Sequence, residues 1–153
     1  MKTVLAVLLF IGSFIAGSNA AVAQCACIHP NITALEEFDK SEVVFIGEVV
    51  DSKVVEKPAY PNREDTYDME VKFKVKKVWR KSLQEEVSVR FLVFGCIATF
   101  EKGTEHLVYA VKDDKGRLRM GCCCTRSRPL EKAGEDIKEF EKRGEEQKQV
   151  IKQ

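Results

Sequence analysis

Thiol chemistry is the first thing this sequence offers. Its six cysteines stand in three groups: Cys25-Ala26-Cys27, the isolated Cys96, and the run Cys122-Cys123-Cys124. Two outcomes are open to such groups. In an oxidising compartment thiols end as disulfides. Shielded from oxidant, thiolates gather soft metal ions, and the triple cysteine together with Cys25, Cys27 and His29 makes a set suited to copper(I). The triple cysteine does not have the spacing of a zinc ribbon. Beyond the cysteines the inventory is short. His29 and His106 are the only histidines, and neither lies in a nucleophile motif. The chain has no His-Glu-x-x-His zinc motif and no glycine-rich phosphate loop. It reads as a non-enzyme without a cofactor of its own.

The N-terminus chooses between the two thiol outcomes. Met1-Lys2 gives a positive start, Thr3 to Gly17 is an almost unbroken apolar run, and Ser18-Asn19-Ala20-Ala21-Val22-Ala23 supplies the small residues that signal peptidase accepts. Residues 1–23 are expected to be a signal peptide and the protein to be secreted, extracellular or periplasmic. The apolar run is short for a bilayer span and ends in small and polar residues, so no stable membrane anchor is expected. A lipid anchor would need a small residue where Gln24 stands. Cleavage after Ala23 leaves Gln24 first and Cys25 second; cleavage after Ala20 leaves a longer stub, and cleavage after Gln24 exposes Cys25 itself. In each case a cysteine pair opens the mature chain where thiols oxidise. In a eukaryotic host Asn31-Ile32-Thr33 would also be a glycosylation sequon.

Neighbours such as Cys25 and Cys27 rarely join each other, because a disulfide needs a particular separation of its two backbones. The economical arrangement ties the N-terminal segment to two distant places, one through Cys96 and one through the triple cysteine. Loops that long would each contribute roughly 3–5 kcal/mol by the chain-entropy argument. Of the triple cysteine, one member is expected to pair with the N-terminal segment. The other two would form a vicinal bridge, cross-link to a partner, or stay free.

Charge excludes some partners. The chain carries 25 Lys and Arg against 24 Asp and Glu, and the signal removes only Lys2, so the mature chain is balanced. Nucleic acid or an anionic membrane would call for a clear basic excess. Lys72, Lys74 and Lys76 could form a stripe, but Asp68 and Glu70 share their strand face. The pairs Glu36-Glu37 and Asp113-Asp114 read as solvated surface. About 130 mature residues suit one domain, expected over residues 24–143, followed by a charged tail over residues 144–153 that frays in solvent.

The elements that must hold the cysteines follow from periodicity. Thr33 to Lys40 reads as a short helix with Leu35 and Phe38 three apart. Glu42 to Val55 reads as a strand with a bulge or bend at Gly47, and Lys57 to Asp65, with two prolines, as a loop. Tyr67, Met69, Val71, Phe73 and Val75 alternate with charged residues in the clearest strand of the chain. That alternation slips at Lys77-Val78-Trp79, which indicates a bulge. Glu86 to Phe94 and Glu105 to Val111 are further strands, and Asp113-Asp114-Lys115-Gly116 turns into Arg117 to Met120. From Pro129 the period becomes helical through Leu130, Ala133, Ile137 and Phe140, with Pro129 suited to the first helical position. The expectation is a mostly β domain: a five-stranded, closed OB-like barrel with a short N-terminal and a longer C-terminal helix. A two-sheet sandwich is the competing arrangement.

This order of features resembles the netrin-like module, and within it the N-terminal domain of the tissue inhibitors of metalloproteinases. The matching pieces run from Cys25-Ala26-Cys27 through Ser41 to Val50, Phe73 to Trp79, Gly95-Cys96 and Gly103 to Ala110. They end at Cys124-Thr125-Arg126-Ser127-Arg128-Pro129-Leu130, and together they span nearly the whole mature chain. The resemblance implies an OB-like barrel whose N-terminal segment is pinned by two disulfides, Cys25 with Cys96 and Cys27 with Cys124. It also implies a function. The free α-amine and carbonyl of Cys25 would chelate the catalytic zinc of a target metalloendopeptidase, Ala26 would enter its specificity pocket, and Cys27 would complete the protease-binding segment. The alternatives are a non-inhibitory extracellular adhesion or assembly module that binds another protein, or a thiol-based copper protein. Two departures stand out: Gln24 precedes Cys25, and no cysteine lies between Cys27 and Cys96 to make the third disulfide of the inhibitors.

Overall fold

The structure is a computed structural model that describes residues 32–56, 66–94, 100–121 and 125–150, and their side chains except those of Glu56, Phe94 and residues 145–150. The expected signal peptide and the 57–65 loop lie outside the described residues. Among the described residues no helix is long and apolar enough to cross a membrane.

Helix α1 spans Ala34–Lys40, and its start is set by local chemistry. The Thr33 hydroxyl accepts from the Glu36 amide (3.2 Å), while the Glu36 carboxylate accepts from the Thr33 amide (2.8 Å). That reciprocal capping box satisfies two of the amides a helix start leaves unpaired, and its hydrogen bonds hold the Glu36 carboxyl below its ordinary pKa. Glu36 is therefore a capping residue as well as an exposed one.

Among the described residues six strands follow: β1 (Val43–Glu56), β2 (Thr66–Arg80), β3 (Glu86–Phe94), β4 (Glu105–Lys112), β5 (Leu118–Arg119) and β6 (Arg128–Pro129). Five of them pair around a ring, β1–β2–β3–β5–β4 and back to β1. The join between β3 and β5 is the narrowest. It is a single parallel pair, Arg90 with Arg119, supported by the Met120 amide donating to the Arg90 carbonyl at 2.8 Å. Helix α2, Gly134–Val150, closes the described chain after a 3-10 turn at Leu130–Lys132.

Two apolar clusters use the two faces of the strands. The larger gathers Phe45, Val71, Phe73, Val89, Phe91, Val108 and their neighbours from every long strand. The second lies on the opposite face of β1 and β4, where Val44, Ile46, Leu107 and Tyr109 meet Ala34 and Phe38 of α1 and Ala133 and Phe140 around α2. This explains the sequence locally. Strands covered on one side alternate, as in β2 and β3. Val43 to Ile46 and Leu107 to Ala110 are covered on both sides and read as unbroken apolar runs.

The expected bulges are present. Pairing between β1 and β2 shifts between Val44 and Phe45 and again between Ile46 and Gly47. The first shift lets Val78 join the larger cluster while Trp79 packs in the second, its ring 5.5 Å from that of Phe140. A Cβ at Gly47 would lie 2.9 Å from both Phe45 Cε2 and Phe73 Cβ, so glycine there permits the T-shaped Phe45–Phe73 contact at 5.7 Å.

Several expectations need correction. The ring has the five strands expected; among the described residues a sixth joins it at the edge, where Arg128–Pro129 pairs with His106 and Leu107. Pro129 therefore sits in an edge strand, where its missing amide does no harm, rather than at the first position of α2. The strand expected over Arg117 to Met120 shortens to Leu118–Arg119. Asp113 is not simply solvated: its carboxylate accepts from the Lys115 and Arg117 amides at 2.9 and 2.8 Å and binds the Arg117 side chain. Asp68, placed by alternation on the outer face, is only 8 % exposed beneath Arg119. The lysines of that face are interleaved with acids, Lys72 meeting Glu86 and Lys76 meeting Glu48.

Candidate functional site

The residues expected to act, Cys25, Ala26, Cys27, Cys96 and Cys124, lie outside the described residues, as do His29, Asn31, Cys122 and Cys123. The structure does place the residues that flank them, and it holds those flanks in detail.

Ile32 begins the described chain, five residues after Cys27; Thr125 and Arg126 follow Cys124 directly. Although 94 positions apart in sequence, Ile32 and Arg126 touch: the Arg126 Nη1 donates to the Ile32 carbonyl at 2.8 Å. The rest of the guanidinium is committed to Asp136 on the first turn of α2, with Nε to Oδ2 at 3.0 Å and Nη2 to Oδ1 at 2.5 Å. Tyr109 of β4 donates its hydroxyl to the same carboxylate at 2.7 Å, and Arg128 Nη2 stands 3.6 Å away.

Asp136 is 1 % exposed, so its charge needs these partners. Burial alone would raise its pKa. Hydrogen bonds from Arg126 and Tyr109, with the charge of Arg128, outweigh burial and hold the carboxyl below the usual range. The Tyr109 hydroxyl is pushed far up, by burial first and then by its bond to Asp136. Arg126 is raised by its hydrogen bond to the carboxylate.

The segment leading from the triple cysteine is also docked. The Ser127 hydroxyl accepts from the Tyr109 amide at 2.9 Å, the Thr125 hydroxyl donates to Ser127 Oγ at 3.0 Å, and Thr125 approaches Glu37 of α1 at 3.4 Å. A Cβ at Gly121 would meet Thr125 Cβ at 3.5 Å, so the two described residues that bracket the triple cysteine are neighbours.

Cys96 has its own flank. Phe100, four residues on, packs edge-on or tilted against Phe91, Phe73 and His106 at ring separations of 5.1, 5.9 and 4.7 Å. Gly103 and Thr104 then pair with Val49 on β1. His106 is 3 % exposed, its Nε2 is 3.0 Å from the Thr104 hydroxyl, and burial lowers its pKa. Beside it opens a cleft of about 630 Å³ lined by Glu101, Glu105, Glu131, Leu130 and His106. Among the described residues no group of three or more His, Cys, Asp or Glu is arranged to hold a metal ion.

Sequence reasoning passed over Arg126, Asp136 and Tyr109. One signal was available: Asp136 falls with Ala133, Ile137 and Phe140 on the apolar stripe of its helix, where an acid requires a buried partner. No protein-family model matches the chain, and no curated protein matches it.

Proposed function

We propose that the protein is a secreted, non-enzymatic, netrin-like binding module with an OB-like barrel, and that its Cys25-Ala26-Cys27 segment inhibits zinc metalloendopeptidases. The observation that carries the reading is the 2.8 Å contact between Arg126 and the Ile32 carbonyl. It joins the chain leaving Cys27 to the chain leaving Cys124, the two flanks that a disulfide between those cysteines would also join. Further support comes from the ring of five strands with helices across one face, which is compatible with an OB-like barrel.

The chemistry is that of a bidentate zinc ligand. A catalytic zinc keeps an open coordination position, which a neutral amine and an adjacent carbonyl oxygen can fill. An N-terminal amine has a pKa of about 8, so a useful fraction is neutral at physiological pH. Gln24, if retained, converts that amine into an amide, a far poorer ligand, and lengthens the wedge ahead of Ala26.

The test compares a form starting at Gln24 with one starting at Cys25 against a panel of zinc endopeptidases. Inhibition is expected from the Cys25 form and little or none from the Gln24 form. Equal potency would remove the chelation mechanism. Silence from both would favour a non-inhibitory adhesion or assembly module.

A further inference from the structure

The surface where α1, β2 and α2 meet carries chemistry that the proposed inhibitory segment does not draw on. A cleft of about 360 Å³ opens there, lined by Phe38 and Asp39 of α1, Trp79 and Arg80 of β2, and Phe140 and Arg143 of α2. Its walls are aromatic: the Phe38 and Trp79 rings lie 5.0 and 5.5 Å from that of Phe140. Two guanidiniums border it, those of Arg80 and Arg143, at 5.7 and 5.4 Å from the centre of the Phe38 ring. Gly144 completes the lining, and a Cβ there would meet nothing within 4 Å.

Both guanidiniums are held in place without having their charge cancelled. Arg80 Nη1 donates to the Phe38 and Asp39 carbonyls at 2.9 and 3.2 Å, at the end of α1, and comes only to 3.8 Å from the Asp39 carboxylate. Arg143 Nη1 donates to that same carboxylate at 2.8 Å. One carboxylate thus faces two cations, and with its side chain 54 % exposed it is screened by water. Lys77, 4.6 Å from the centre of the Trp79 ring, is matched by Glu141 at 3.1 Å and adds no net charge. Among the described residues, Nε and Nη2 of Arg80 and of Arg143 meet no acceptor. That edge of a guanidinium takes a carboxylate through two parallel hydrogen bonds.

Size narrows the ligand. Sites for small ligands run from about 300 to 1,000 Å³, so this cleft stands at the small end and holds little more than one large side chain. Negative charge and apolar body must then arrive on one residue, and only the last residue of a chain presents a carboxylate on an aromatic body. We propose that the cleft docks the C-terminal aromatic residue of a partner chain, its ring against Trp79 and Phe140 and its carboxylate on Arg80 and Arg143. The site is independent of the Cys25-Ala26-Cys27 segment, and its test is separate from that of protease inhibition.

Trp79 is the only tryptophan of the chain, so its emission reports on this cleft alone. The experiment titrates the full chain with a short glycine-serine peptide that ends in phenylalanine as the free acid. A saturable change in emission is expected. The same peptide with an amidated C-terminus should bind about tenfold more weakly or worse, the usual loss for a hydrogen bond to a charged group, and Arg143→Gln should weaken the acid peptide to the same extent. Gly144→Leu fills the open side of the cleft with a better helix former and should abolish binding. Asp39→Asn removes the competing carboxylate and should tighten binding a few-fold, an effect that purely structural arginines would not produce. If Arg143→Gln does not fold, Gly144→Leu and Asp39→Asn decide. No saturable change, equal affinity for acid and amide, or wild-type affinity in Gly144→Leu overturns the proposal. So does equal affinity for an amidated peptide whose aspartate and phenylalanine are both internal, since that would remove the terminal carboxylate from recognition.

Discussion

Replacing Asp136 with asparagine keeps the shape of the side chain and removes the charge that organises the Arg126 clamp. The two carboxylate oxygens accept from three donors: Arg126 Nη2 at Oδ1, and Arg126 Nε and the Tyr109 hydroxyl at Oδ2. An amide NH2 at the Oδ1 position faces Nη2, and at the Oδ2 position it faces Nε. Either orientation sets a donor against a guanidinium N–H, so at least one charged hydrogen bond is lost, a loss of about 1.5–3 kcal/mol. Breaking a fully buried ion pair costs about 3–5 kcal/mol. Here Arg126 and Arg128 retain 24 % and 32 % side-chain exposure, and water recovers part of that. The expected loss is about 2–4 kcal/mol, a large share of the roughly 5–15 kcal/mol that holds a domain folded.

Urea unfolding with disulfides intact measures it. At a slope of about 2 kcal/mol per molar, the middle of the usual range, the midpoint should fall by about 1–2 M with the slope unchanged. Tyr109→Phe, which removes one neutral donor, should cost about 1 kcal/mol. The pH dependence gives a second readout. Because the folded carboxyl has a lowered pKa, its contribution is full above the ordinary value of about 4 and drains as pH falls below it. Asp136→Asn should lose that acid limb. If Asp136→Asn costs no more than Asp114→Asn, an exposed neighbour of the Asp113 turn, the clamp contributes nothing to stability and the reasoning fails.

Phe73→Ala, at a ring that is 0 % exposed, should cost about 3–5 kcal/mol, while Lys74→Ala on the solvated face should change stability by no more than about 0.5 kcal/mol; equal effects would show the strand register to be wrong. His106 is buried against Phe100 and Phe73, with Thr104 on Nε2 and Glu101, Glu105 and Glu131 around the neighbouring cleft. Its pKa is lowered by burial, so the unfolded chain binds a proton that the folded one refuses. Stability should be full above about pH 6.5 and fall below it by up to about 1.4 kcal/mol per pH unit, and a His106→Gln variant should lose that slope. A wild-type stability curve flat from pH 7 to 5 would contradict this.

What was legible in the sequence was whatever periodicity and local capping control. The alternation from Tyr67 to Val75 and from Glu86 to Phe94 reported strands with one covered face, and the slip at Lys77-Val78-Trp79 reported a bulge. The unbroken runs Val43 to Ile46 and Leu107 to Ala110 also read as strands. Their coverage on both sides depends on two helices that pack from opposite ends of the chain, and no periodicity encodes that meeting. Pro129 was misplaced for a related reason. Its fixed φ suits a helix start and an edge strand equally, and the choice is made by β4, whose free edge at His106 and Leu107 takes the Arg128–Pro129 pair.

The clamp shows where pattern reading stops. Asp136 advertises itself by standing on an apolar helix stripe, and a buried acid demands donors. Arg126 and Arg128, ten and eight residues earlier, are obvious candidates, but nothing in spacing alone selects Tyr109 across the sheet or the Ile32 carbonyl at the far end of the chain. Those partners exist because β4 carries both helices on one face, which brings residues 32, 109, 126 and 136 to one place.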